Sequence, residues 1–150
     1  MARSLDIETL IEDAFISLLP TYVDAGVTVE RWEDIKDKSL TGVVKVKATI
    51  ADEQEGTINI MPAFNVLVDF GIFTSKRIDE DAKTGNNIRG DIRNLINQDD
   101  IVTVLNTASP GLLIYNNGII PQGSLDAPDS KVWQKNLSVL VVATTEEVTP

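Results

Sequence analysis

The segment Asn136–Thr144, NLSVLVVAT, alternates with a strict period of two. Leu137, Val139, Val141 and Ala143 fall on one side of an extended chain, and Ser138, Leu140, Val142 and Thr144 on the other. A pattern of that period cannot sit still as a helix, so it demands a strand with one face on a core. The same reading gives a final strand over Val132–Thr144. A second clear alternation runs from Leu40 to Ala51, with Val44, Val46, Ala48 and Ile50 on one face and Val43, Lys45, Lys47 and Thr49 on the other. Val27–Trp32 reads as a short strand rich in β-branched residues, and Thr57–Phe73 as a long one. Pro62 lies inside that long strand and cannot donate to a ladder, so it marks a bulge, a kink or an edge. The turn Asp52–Gly56 links the two. Ile101–Leu105 and Leu112–Tyr115 are further strand candidates, and Asn117-Gly118 suits a tight hairpin turn. Pro121–Ser130 reads as a loop.

Two helices complete the layout. Ile7, Leu10, Ile11, Ala14, Phe15 and Leu18 recur at three- and four-residue steps and make one apolar stripe. Ser4 is a candidate cap and Pro20 a stop, which predicts a helix over Leu5–Leu19. Ile88, Ile92, Leu95 and Ile96 form the stripe of a second helix, with Asp79 and Thr84 as alternative caps. Helix, strands, helix, strands in that order predicts one α+β domain over residues 1–150. Its sheet is antiparallel, with two helices packed on one face and short flexible ends near 1–3 and 145–150.

The chemistry is bounded by what is missing. With no cysteine there is no disulfide or thiolate chemistry, and with no histidine there is neither the commonest general base nor the commonest transition-metal ligand. Catalysis would have to use carboxylates, lysine or tyrosine. A formal net charge of −10 opposes binding to phosphate backbones, and aromatics at 5% are too few for a base-stacking platform. The amino-terminal segment carries acids inside its apolar stretch, unlike a signal peptide, and no apolar run approaches the ~20 residues of a membrane span. The sequon at Asn136 falls inside the final strand and reads as chance.

Acid clusters at 52–55, 79–81, 99–100 and 126–129 lack the spacing of a calcium loop and read as solvated turns. The segment TGNNIRG at 84–90 lacks the end of a phosphate-binding loop. Lys45 and Lys47 on one strand face, like Arg89 and Arg93 one helical turn apart, read either as a solvated face or as a basic strip opposite an acidic neighbour. Trp32 and Trp133 stand at strand ends, as lids on the core or as interface anchors.

An amino-terminal helix ending in LLP comes first, followed by VTVERWED, a lysine-bearing strand and a long hydrophobic one. A polar helix and the closing GSLDAPDSKVWQKNLSVLVVAT complete a layout that resembles tail terminator and tail-completion proteins of tailed bacteriophages. The resemblance spans nearly the whole chain and is one of layout and size. It implies a virion structural protein made in the host cytoplasm. Such a protein forms a homomeric ring, commonly of six copies, that caps the tail tube and meets the neck or head. Its partners would be its own copies, the tube protein and neck proteins, with DNA passing through unbound; it implies no enzyme, cofactor, metal or membrane. The parts available for contact between copies are Lys45 and Lys47, the acidic turn Asp52, Glu53 and Glu55, and the strand broken by Pro62. Another head–tail connector, a small carboxylate-dependent enzyme and a cytosolic adaptor are the other readings.

Overall fold

A computed structural model describes residues 3–4, 6–32, 42–54, 63–75, 83–126, 132–145 and 147–148. It shows a single α+β domain. In chain order the elements are β1 (Arg3–Ser4), α1 (Ile7–Leu18), a 3-10 turn (Leu19–Thr21), β2 (Thr28–Arg31), β3 (Val43–Gln54) and β4 (Ala63–Ser75). Then come α2 (Lys83–Ile96), α3 (Ile101–Ala108), β5 (Leu112–Asp126), β6 (Val132–Thr145) and β7 (Glu147–Val148). The main sheet has the order β2-β3-β4-β6-β5, and β1 pairs with β7 in a separate two-stranded ladder that joins the two ends of the chain.

The late alternating strand sits inside this sheet. β6 pairs with β4 from Phe64↔Ala143 to Ser75↔Val132 and with β5 on its other side, so both its hydrogen-bonding edges are used. Leu137, Val139, Val141 and Ala143 are buried as their period requires. They join Val44, Val46 and Ala48 of β3, Val66, Val68, Phe70 and Ile72 of β4, and Leu112 and Ile114 of β5 in one core. The helices supply the other half: Ile7, Ile11, Ala14 and Phe15 from α1, Ile88, Ile92, Leu95 and Ile96 from α2, and Ile101 and Leu105 from α3. Phe15 meets Phe70 edge to face, ring centroids 5.1 Å apart.

The structure corrects the expected layout in several places. Among the described residues three helices, not two, cover the face. Ile101–Ala108 is helical although its β-branched run favours a strand. Ile101 and Leu105 are also one helical turn apart, and burying both outweighs a propensity difference of a few tenths of a kcal/mol per residue. The sheet is mixed, because β2 runs parallel to β3 (Thr28↔Val43 to Arg31↔Val46). Asp6, not Ser4, caps α1: its Oδ1 accepts the Glu8 N–H at 3.2 Å and its Oδ2 the Thr9 hydroxyl at 2.6 Å.

Residues 112–126 form one strand rather than a hairpin and a loop. Asn117-Gly118 lies in a bulge, where five steps on β5 (Ile114 to Ile119) oppose two on β6 (Ala143 to Val141). A Cβ on Gly118 would stand 2.7 Å from the carbonyl oxygens of Tyr115 and Val142, so only glycine fits there. Pro121 is tolerated because β5 is an edge strand. β3 continues through Asp52 and Glu53, paired with Asn65 and Phe64, where a turn was expected.

Candidate functional site

All three helices lie on one face, so the opposite face of β3, β4, β6 and β5 carries no described helix. Register builds that face row by row. Thr49, Leu67, Leu140 and Ile120 make one row across four strands; Lys47, Asp69, Ser138 and Gly123 make the next. Beyond them come Lys45, Gly71 and Asn136, then Phe73 and Gln134. The rows grade from apolar to polar and end against an aromatic wall. Ile120, with Leu113 and Tyr115 on the same face of β5, is about 40% exposed. In the polar rows the Ser138 hydroxyl donates to Asp69 Oδ1 at 2.6 Å and Gln134 Nε2 to Asn136 Oδ1 at 3.3 Å. A groove of about 730 Å³ runs over this floor between Trp32 and the Gln122-Gly123 rim.

Trp32 is the wall. Its ring lies flat enough on Gly71 that a Cβ there would come within 2.5 Å of it, and it meets Phe73 at 6.0 Å. Gly71→Ala therefore forces the indole off the sheet. We expect a loss of about 1–3 kcal/mol and red-shifted tryptophan emission in a Trp133→Phe background. Unchanged stability and emission would show that the ring has room to give. Trp133 is half-buried at the start of β6, with Lys135 Nζ 5.9 Å from its ring centre.

The expected contact residues divide sharply. Lys45 is half-buried and paired within the chain: its Nζ lies 2.8 Å from Glu30 Oε1, the residue opposite it in the parallel ladder. Glu30 is buried, and its Oε2 has no hydrogen-bond partner among the described residues. Lys47, one pleat away, is exposed. Asp52 and Glu53 lie at the far end of the β3–β4 ladder, while Glu55 and Pro62 fall outside the described residues. So Lys45 and Lys47 share a strand face but differ in exposure and in pairing within the chain. Nothing local to VTVER marks Glu30 as the partner of Lys45, because only the parallel β2–β3 ladder sets the two opposite each other.

Acids gather elsewhere. Asp91 on α2 has its carboxyl raised from its ordinary value, first by burial and then by the charge of Asp24 in the turn before β2. Asp99 and Asp100 are exposed beside a small cleft at the start of α3; the cluster at 79–81 lies outside the described residues. Among the described residues no three acidic side chains converge to hold an ion. Thermal melts with and without a chelator are expected to coincide, and a drop of many degrees on chelation would revive the acid clusters as a site. No described helix is long and apolar enough to cross a membrane. No protein-family model matches the chain, and no curated protein matches it in sequence.

Proposed function

We propose that this chain is a structural subunit of a tailed-bacteriophage particle: a tail terminator whose copies close into a ring that caps the tail tube and joins it to the neck. The one observation that carries this reading is the one-sided sheet. Four strands at ~4.8 Å spacing, over a ladder of about twelve residues at ~3.4 Å each, outline a face of roughly 750 Å². Protein partners typically bury ~800 Å² apiece. A face of that size that no described helix covers, apolar at one end and polar at the other, fits a partner surface better than a small substrate. The layout from the LLP helix to the closing strand supports the same reading.

Ring copies would number six, as is common in the family the layout resembles. A charge of −10 per copy would leave acid facing the channel, which keeps passing DNA from adhering. No chemistry is required of the subunit, and its partners are its copies, the tube protein and a neck protein. The test is a density map of the assembled particle. A symmetric ring of this chain at the head-proximal end of the tube is expected. A single copy away from the axis, or a channel wall lined with lysine and arginine, defeats the proposal; a ring placed in the neck replaces the terminator with a connector.

A further inference from the structure

We infer that the groove on the open sheet face binds a neutral oligosaccharide, with the indole of Trp32 stacking on a pyranose ring and the Asp69, Asn136 and Gln134 side chains holding its hydroxyls. The inference goes beyond the ring reading and does not rest on it. The groove takes the polar half of the face and leaves the apolar half, with Leu113, Tyr115 and Ile120, for a neighbour.

The floor rules out other ligand classes. β4 and β6, which make its middle, are each paired on both sides, so their backbone groups are used up in the ladders. An extended peptide is recognised chiefly through main-chain hydrogen bonds at a sheet edge, and it finds none to make there. Recognition must go through side chains. Lys47 and Asp69 stand opposite each other in one row and bring one charge of each sign to the groove, which therefore selects neither an anion nor a cation. A charge of −10 on the chain opposes a nucleic-acid strand. A neutral, polyhydroxylated ligand fits what remains. Primary amides offer donors and acceptors together, as a sugar hydroxyl does, and the carboxylate adds a strong acceptor.

These groups are already held in place. The Ser138 hydroxyl donates to Asp69 Oδ1 at 2.6 Å, and Gln134 Nε2 donates to Asn136 Oδ1 at 3.3 Å. Among the described residues Asp69 Oδ2 and the Asn136 amide nitrogen have no hydrogen-bond partner, and both side chains line the groove. The two pairs lie in adjacent rows, about 7 Å apart along β6 at ~3.4 Å per residue, a span that neighbouring sugar hydroxyls can bridge.

Trp32 supplies the apolar wall. Gly71 has no Cβ, which lets the indole come down onto the sheet, and Phe73 meets it at an interplanar angle of 67°. The indole is half-buried rather than covered, and it lines the groove. The C–H face of a pyranose is apolar and weakly positive, so the negative face of an indole attracts it as water leaves. A wall and floor fixed in advance lower the ordering cost of binding. The groove volume of about 730 Å³ lies within the ~300–1,000 Å³ of small-molecule sites.

The test is calorimetric titration of the full-length protein with three neutral trisaccharides, cellotriose, maltotriose and chitotriose, and with trigalacturonate as the charged counterpart. Saturable binding of at least one neutral trimer is expected, with a Kd of about 0.1–10 mM. Asn136→Ala should weaken it about fivefold and Asp69→Ala about tenfold or more, each with a melting curve that shows the variant folded. Trp32→Phe tests the wall and should weaken binding while keeping an aromatic on Gly71. In a Trp133→Phe background the same titration should shift tryptophan emission to the blue, because stacking dries the indole. Three neutral trimers that all fail to bind, binding that survives both Asp69→Ala and Asn136→Ala, or equal binding of trigalacturonate overturns the inference. A ring in the particle map without sugar binding removes this site and leaves the ring; sugar binding without a ring keeps the site and removes the terminator reading.

Discussion

Phe15→Ala is expected to lower the unfolding free energy by about 3–5 kcal/mol. Phe15 is 0% exposed and lies where α1 crosses the sheet, its ring edge-on to Phe70 at an interplanar angle of 84°. Truncation removes a full aromatic from water-free contact and leaves a cavity between two rigid layers, which cannot collapse without moving the helix. Urea titration should show a lower midpoint with an unchanged slope, and the melting temperature should fall by on the order of 10 °C. A loss below about 0.5 kcal/mol would mean that the α1 stripe is not core.

Glu12→Ala is expected to cost about 3 kcal/mol, through a different mechanism. β2 pairs with β3 only as far as Val46, so the outward N–H groups of β3 beyond that point have no described strand beside them. α1 takes over. Glu12 Oε2 accepts the Ala48 N–H at 2.9 Å, and Glu8, one helical turn earlier, accepts the Ile50 N–H at 2.8 Å. Glu12 Oε1 also accepts from Arg31 Nε at 3.0 Å and Nη2 at 2.7 Å. Glu12 is only 4% exposed, so its removal strands a buried amide and half of an ion pair. Breaking a buried pair costs about 3–5 kcal/mol; the Arg31 side chain is 39% exposed and can rehydrate, which places this case at the low end. Glu8→Ala acts at an exposed bond and should cost under about 1 kcal/mol. Equal losses from the two variants would show that Glu12 is not an edge cap. The two carboxylates also shield β3 from pairing with a foreign strand, a recognised hazard of open edges.

The same edge shows where local reading stops. A glutamate four residues after another on an amphipathic helix looks like solvated surface, and nothing in IETLIEDAF says that one of them ends up buried against a strand thirty-odd positions later. Lys45 and Lys47 look equivalent in the alternation of β3, yet one is sequestered by Glu30 and the other left open, because only the parallel placement of β2 distinguishes them. Ile101–Ala108 carries both a strand propensity and a helical spacing, and the choice went to the form that buries Ile101 and Leu105 and lets Asn106 Oδ1 accept the outer N–H of Ile114 at 2.8 Å.

Periodicity alone determined which faces of α1, α2 and β6 are buried, since burial follows from apolar spacing along a single element; on β3 it placed Val44, Val46 and Ala48, but Ile50 of the same face is exposed and Val43 of the other is buried. Composition alone excluded thiol and imidazole chemistry. Tertiary structure decided everything that depends on a second element: the place of β6 between β4 and β5, the parallel β2, the indole of Trp32 resting on Gly71, and the face with Lys47 on which no described helix lies. The physical reason is that a side chain's period is written in its neighbours along the chain, whereas strand order, ion pairing and coverage are settled by competition among surfaces distant in sequence.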